Sequence, residues 1–274
     1  MPHVRTTYTH YMNFLKRYFT RRIVRRNAIP FTTWHQITRQ IPLVKQRTNK
    51  EKARLRLLTT LFLHQKSFTG AHGLNITLEM KITVASQACL EILYIGLNAF
   101  NGWVEIIIYP TAFVVKRDVR EPNGVVHAES QGLSGESWLR GPVILSWQDV
   151  QKDSYTLHPG HNIVIHEFAH KLDMLTGSFD GVPPLYPDTH IEEWTKALDV
   201  AYTTLISQID HHKHTYINAY AATNPAEFFA VMCEYFFTSP HTLQKHCPKV
   251  YRQLKSYFRQ EPVSAVHHLN HTTK

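Results

Sequence analysis

The run His166-Glu167-Phe168-Ala169-His170 restricts this chain more than any other five residues, because it matches the H-E-x-x-H pattern in which one helix offers two imidazoles to a metal. Residues four apart in a helix lie one turn apart on the same face, so two ring nitrogens can converge on one tetrahedral Zn2+ when the segment is helical. Glu167, one position on, is angled toward water at the ion rather than toward the ion itself. A carboxylate so placed can take a proton from water whose pKa the zinc has lowered to about 7, which is the chemistry of a metallopeptidase.

With 19 His in 274 residues such a pattern can arise by chance, so its flanks must decide. Asn162-Ile163-Val164-Ile165 leads in and Lys171-Leu172-Asp173-Met174-Leu175 leads out, without Pro or Gly. The stretch reads as one buried helix with its polar groups on a single face. An uncompensated ionisable trio there would cost on the order of several kcal/mol, so metal or hydrogen bonds must offset it. The competing reading is a satisfied pair of core histidines.

At 43% hydrophobic the chain can bury one large core or two modest ones. Its longest apolar runs, around Cys89–Leu97 and Ile106–Val115, are interrupted and fall short of a membrane span. Cys89, Cys233 and Cys247 have no metal-ligand spacing and cannot all pair, which suits a reducing, cytoplasmic setting. The net charge of +9 is uneven: Arg5, Lys16, Arg17, Arg21, Arg22, Arg25 and Arg26 crowd residues 1–26, which hold no acid. Tyr11, Phe14, Leu15, Tyr18 and Phe19 interleave with them, a pattern that suits weak contact with an anionic membrane, although a solvated tail is the plainer reading. The remainder carries 23 basic against 21 acidic residues, so no direct nucleic-acid contact is expected.

Helical periodicity covers Trp34–Val44, Asn49–Lys66, Thr77–Tyr94 and Glu192–Gln208. Trp103–Tyr109 and Ala112–Lys116 read as paired strands around Pro110, followed by a long loop over 118–140. Gly141–Trp147 reads as a further strand, one that could pair with extended substrate backbone or serve as ordinary core. The Pro- and Gly-rich segment Gly177–Asp188 must turn, and His211-His212-Lys213-His214 suits a solvated tract better than a site.

A catalytic zinc needs a third protein ligand and an open position. The metzincin continuation requires Gly at 173 and His at 176, where this chain has Asp173 and Thr176. Asp173 is expected to hydrogen-bond a ligating imidazole. Glu192, Glu193, Glu227 and Glu234 stay open as ligands. Asn224 and Pro225 suit the cap and first position of a helix, which puts Glu227 in its first turn, where a capping box would also place a glutamate. Glu234 shares its face two turns on and suits a supporting role.

Gly135-Glu136-Ser137-Trp138, the strand Gly141–Trp147, the motif Val164–Asp173 and the block Tyr220–Phe237 together resemble the Mlc titration factor A family of bacterial zinc peptidases. Ala71-His72-Gly73-Leu74 and Ala88-Cys89-Leu90 extend the likeness over about Pro30 to Pro262. The resemblance implies a gluzincin-type site: one Zn2+ per chain on His166, His170 and Glu227, Glu167 as general base, and Tyr220 assisting. It implies an α+β, zincin-like core with N-terminal helices over 30–262, between a basic extension at 1–29 and a tail at 263–274. It further implies aminopeptidase action on short peptides and binding of the transcriptional repressor Mlc, with sequestration of that repressor as the rival main function. The loop near Ser154–His161 looks variable, which leaves the pocket rim open.

Overall fold

A computed structural model describes residues 18, 20–111, 141–187 and 190–263. Helical residues 20–27 carry Arg21, Arg22, Arg25 and Arg26 exposed; residues 1–17 and 19 of the basic extension, the expected strand Ala112–Lys116 and the loop over 118–140 lie outside the described residues. Among the described residues no helix is long and apolar enough to cross a membrane.

The fold is α+β. Helices α1 (Phe31–Thr38) and α2 (Pro42–Lys45) replace the single helix expected over Trp34–Val44. The cause is Pro42: the residue before a proline is driven out of the α region, and Ile41 sits at φ −95°, ψ 106°. Helix α3 (Asn49–Gln65) starts on a capping box, with Thr48 Oγ1 accepting from Glu51 N while Glu51 accepts from Thr48 N. Thr77 likewise caps α4 (Leu78–Glu91), accepting from Met80 N at 3.1 Å. Helix α4 is buried from Ile82 onward, its apolar residues interspersed with the buried polar side chains of Thr83, Ser86, Gln87 and Glu91.

Strands β1 (Ser67–Gly70), β2 (Glu105–Tyr109) and β3 (Val143–Ser146) form one parallel sheet in that order. Strand β1, four residues with no apolar alternation, was not legible in the sequence, and β2 pairs in parallel on both sides. Strand β3 is an edge among the described residues, paired with β2 from Ile106↔Val143 to Tyr109↔Ser146. It runs directly into α5 (Trp147–Tyr155), which Ser146 caps by accepting from Asp149 N.

Helix α6 (Ile163–Asp173) carries the motif and packs on α4 and β3. Its Phe168 ring is fully buried among Phe62, Phe100 and Trp103, with centroids 5.2–5.8 Å away. Burying one such ring stabilises by about 1.5–3 kcal/mol, so the apolar side of α6 is anchored and its polar side has a set direction. Lys66 donates to the carbonyls of Phe100 and Trp103 and lies 3.7 Å from the Trp103 ring, bracing the same cluster. Helix α7 (Ile191–Asp210) is followed by α8 (Pro225–Thr238), which packs along α6, and by α9 (Pro240–His246) and α10 (Pro248–Phe258). Trp194 of α7 meets Phe229 and Tyr257 to join these helices into the same core.

Candidate metal centre

The first turn of α6 is tied down twice. Asn162 Oδ1 accepts from Ile165 N and Asp153 Oδ2 accepts from Ile163 N, both at 3.0 Å, which satisfies two of the amides a helix start leaves open. Downstream, the four-residue spacing sets the rings of His166 and His170 4.7 Å apart and nearly perpendicular. Their Nε2 atoms are 3.1 Å from each other.

Helix α8 supplies the opposing acid. Pro225 occupies its first turn and Asn224 caps it, accepting from Glu227 N at 2.9 Å. That contact uses the backbone of Glu227; its carboxylate reaches His166 Nε2 at 3.0 Å and His170 Nε2 at 3.4 Å. One donor atom from each of His166, His170 and Glu227 falls within a 4.8 Å group, and all three residues are buried. Two imidazole nitrogens and a carboxylate oxygen converging away from bulk water form the donor set of a catalytic zinc, so the residues present fit a metal ion.

Glu234, two turns beyond Glu227, accepts from His166 Nδ1 at 2.8 Å and from Asn162 N. The Nδ1 contact holds the ring and directs Nε2 at Glu227 and His170, the usual duty of a carboxylate behind a ligating histidine. Asp173 does not take the role expected of it. The chain turns at Gly177, in the left-handed region at φ 86°, and returns so that Gly181 N donates to Asp173 Oδ2 at 3.0 Å. Gly181 itself has φ 80°, and a Cβ there would lie 2.7 Å from Pro225 O, so this return loop needs glycine to lie against the start of α8. Glu192 and Glu193 are exposed on the first turn of α7 and the tract His211–His214 is exposed, so neither joins the group.

Electrostatics follow burial and pairing. Burial opposes charge on His166, but Glu234 and Glu227 outweigh it and hold its pKa well above the ordinary value. Burial would raise Glu227, yet hydrogen bonds from His166 and His170 pull it well below the carboxylate range. Burial dominates at His170 and lowers it. Asp173 is pushed up to about 7 by burial, against the hydrogen bond from Gly181.

Glu167 is half-buried on the same helix and acts electrostatically on both His170 and Lys171. Lys171 donates to Gly141 O at 2.8 Å and so links the motif helix to the approach to β3. Tyr220 lies in the short 3-10 turn Ala219–Ala222, half-buried, its ring 6.1 Å from that of His166. The turn is set by Asn218 Oδ1 accepting from Tyr220 N at 2.9 Å. Phe179, 45% exposed, lies 4.9 Å from the His170 ring and forms part of the rim. His161 and Asp153 also border the site; sequence reasoning noted the loop near Ser154–His161 as an open rim but gave neither residue a role.

A family model described as glucose-regulated metallo-peptidase M90 matches residues 15–259. The chain is 39% identical over 232 residues to Mlc titration factor A of Serratia proteamaculans (strain 568), covering 84% of this chain and 87% of that protein. Proteins of the same name from Yersinia pestis (strain Pestoides F) and Yersinia pseudotuberculosis serotype O:1b (strain IP 31758) are each 38% identical over 234 residues, covering 84% of this chain and 85% of theirs. These comparisons lend no support to a membrane contact through residues 1–26. A match this long, over a chain whose motif helix and opposing acid already meet in one buried group, places the protein plainly: it belongs to the glucose-regulated metallo-peptidase M90 family.

Proposed function

We propose that this protein is a cytoplasmic zinc peptidase that removes residues from the amino end of short peptides. The observation that carries the reading is the meeting of His166 and His170 from one helix with Glu227 from another, with the half-buried motif glutamate Glu167 close enough to act electrostatically on His170. In this reading those three residues hold one zinc per chain. The bound ion supplies Lewis acidity, polarising the scissile carbonyl and making water at the site more acidic. Glu167 accepts the proton of the attacking water and returns it to the leaving amine. Tyr220 donates a hydrogen bond to the oxygen that gains charge as the carbonyl becomes tetrahedral. Strand β3, an edge among the described residues and tied through Gly141 to Lys171, offers backbone groups with which an extended peptide can align. The catalytic domain spans 30–262, between the extension at 1–29 and the tail at 263–274.

The name of the relatives favours a second reading, in which the chain binds a repressor of the Mlc type and hydrolysis is secondary. The test combines metal analysis of the full-length protein with a panel of aminoacyl chromogenic substrates, with and without chelator. About one zinc per chain and chelator-sensitive cleavage support the peptidase; retention of Mlc on a column by a protein that cleaves none of the panel supports the binding reading. Absence of bound metal after purification without chelator and after zinc addition would sink the peptidase.

A further inference from the structure

His161 stands between two buried carboxylates at the outer end of the site. Its Nδ1 is 3.4 Å from Glu234 Oε2 and its Nε2 is 3.4 Å from Asp153 Oδ2. The imidazole is 42% exposed, whereas the side chains of Glu234 and Asp153 are 4% and 1% exposed. A neutral imidazole has one N–H, so a ring with a carboxylate within ion-pair distance of each nitrogen can present an N–H toward both only as the imidazolium. A cation that keeps water on part of its surface loses little hydration, and it balances two interior charges at modest cost.

The backbone that presents this ring is held against α8 from both sides. Gly160 N donates to Thr238 Oγ1 at 2.8 Å, and Asn162 N donates to Glu234. Gly160 has φ 72°, and a Cβ there would fall 2.2 Å from the Tyr235 ring, so the approach requires glycine. Each carboxylate also has a second duty: Glu234 Oε1 faces His166 Nδ1 at 2.8 Å, and Asp153 Oδ2 accepts from Ile163 N at the start of α6.

We propose that His161 is a positioning residue of the metal centre: its charge clamps Glu234 and Asp153 so that Glu234 stays aimed at His166 and the ion is held more tightly. Without that cation the two carboxylates repel across the gap that His161 fills. Glu234 then moves off the line to Nδ1, and His166 loses the contact that fixes its ring and tautomer. The proposal rests on the ligand assignment made above for His166, His170 and Glu227.

The experiment measures zinc affinity of the full-length protein by competition with a chromogenic chelator. Loss of an outer partner of a metal-ligating histidine typically weakens binding 10–100-fold, and His161→Ala, acting one step further out, is expected to weaken it about 10-fold. His161→Gln, which keeps polar contact without charge, stays weakened. His161→Arg, whose planar cation can face both carboxylates, returns affinity to within about threefold of wild type. Combined with Glu234→Gln, His161→Ala adds no further loss, because both act through the same carboxylate. Equal zinc affinity in all variants, or losses that simply add in the double variant, overturns the proposal while leaving the ligand assignment intact. Wild-type protein that binds no zinc overturns both. Should His161→Ala fail to fold, wild-type affinity in His161→Gln is the refuting result.

Discussion

Replacing Glu227 by Ala separates the proposed ligand from a helix cap, because the carboxylate that would bind the ion and the N–H that is capped are different atoms. The cap is made by Asn224 Oδ1 on the backbone N–H of residue 227, at 2.9 Å, and alanine keeps that N–H. The 0.5–2 kcal/mol that a good cap typically contributes is therefore retained to about its full extent. What is lost is the carboxylate, with its contacts to His166 Nε2 at 3.0 Å and His170 Nε2 at 3.4 Å. His166 keeps Glu234 on its other nitrogen, so no buried charge is stranded and the metal-free protein should lose no more than about 2 kcal/mol, a few degrees in melting temperature. Zinc binding should suffer far more. Loss of a mere outer partner costs about 10–100-fold, so loss of one of three direct donors should exceed about 100-fold, or roughly 2.7 kcal/mol. Chelator competition gives the zinc dissociation constant, and thermal melts with and without chelator give the two stabilities. Zinc affinity within about threefold of wild type, alongside a melting temperature lowered equally in both conditions, would refute the reasoning and leave Glu227 as a structural residue.

Glu167→Gln should retain zinc and fold while losing about 10²–10⁴-fold in kcat, and steady-state kinetics with the metal content verified will show it; near-normal turnover would remove Glu167 as base. Tyr220→Phe should lower kcat more than it raises KM, since the hydrogen bond matters most as charge develops; an unchanged kcat returns the ring to a packing role beside His166. Asp173 gives a pH signature opposite to that of an ordinary paired carboxylate. Its folded pKa of about 7 lies above the unpaired 3.8, so across that window the native state keeps a proton that the unfolded chain has lost, and stability falls as pH rises. Asp173→Asn keeps an oxygen for Gly181 N–H and should lessen the fall of the denaturation midpoint between pH 4 and 7, to which buried Glu91 and Asp153 also contribute; an unchanged slope there would show that Asp173 is not among its sources.

The helix around His166–His170 was legible because its information is local: spacing along one helix sets which side chains share a face, and Asn162 and the apolar flanks supply the cap and the buried side. The cap at Asn224 and Pro225 was legible for the same reason. Local spacing by itself left Glu227 undecided among Glu192, Glu193 and Glu234, and the likeness to a known family carried the preference for it. Tertiary packing separates the four: α8 lies along α6 with Glu227 facing Nε2 and Glu234 facing Nδ1 of one imidazole, while Glu192 and Glu193 start α7 in solvent. Asp173 was misjudged because its partner, Gly181 N–H, arrives through a left-handed turn whose path no helical periodicity records. Strand β1 was invisible for a related reason: four residues carry too little pattern, and its pairing with β2 joins Ser67 to Glu105 across the intervening helix. His161 and Asp153 were missed because a charge clamp depends on where two helices and a loop meet, and sequence states that only once the chain has folded.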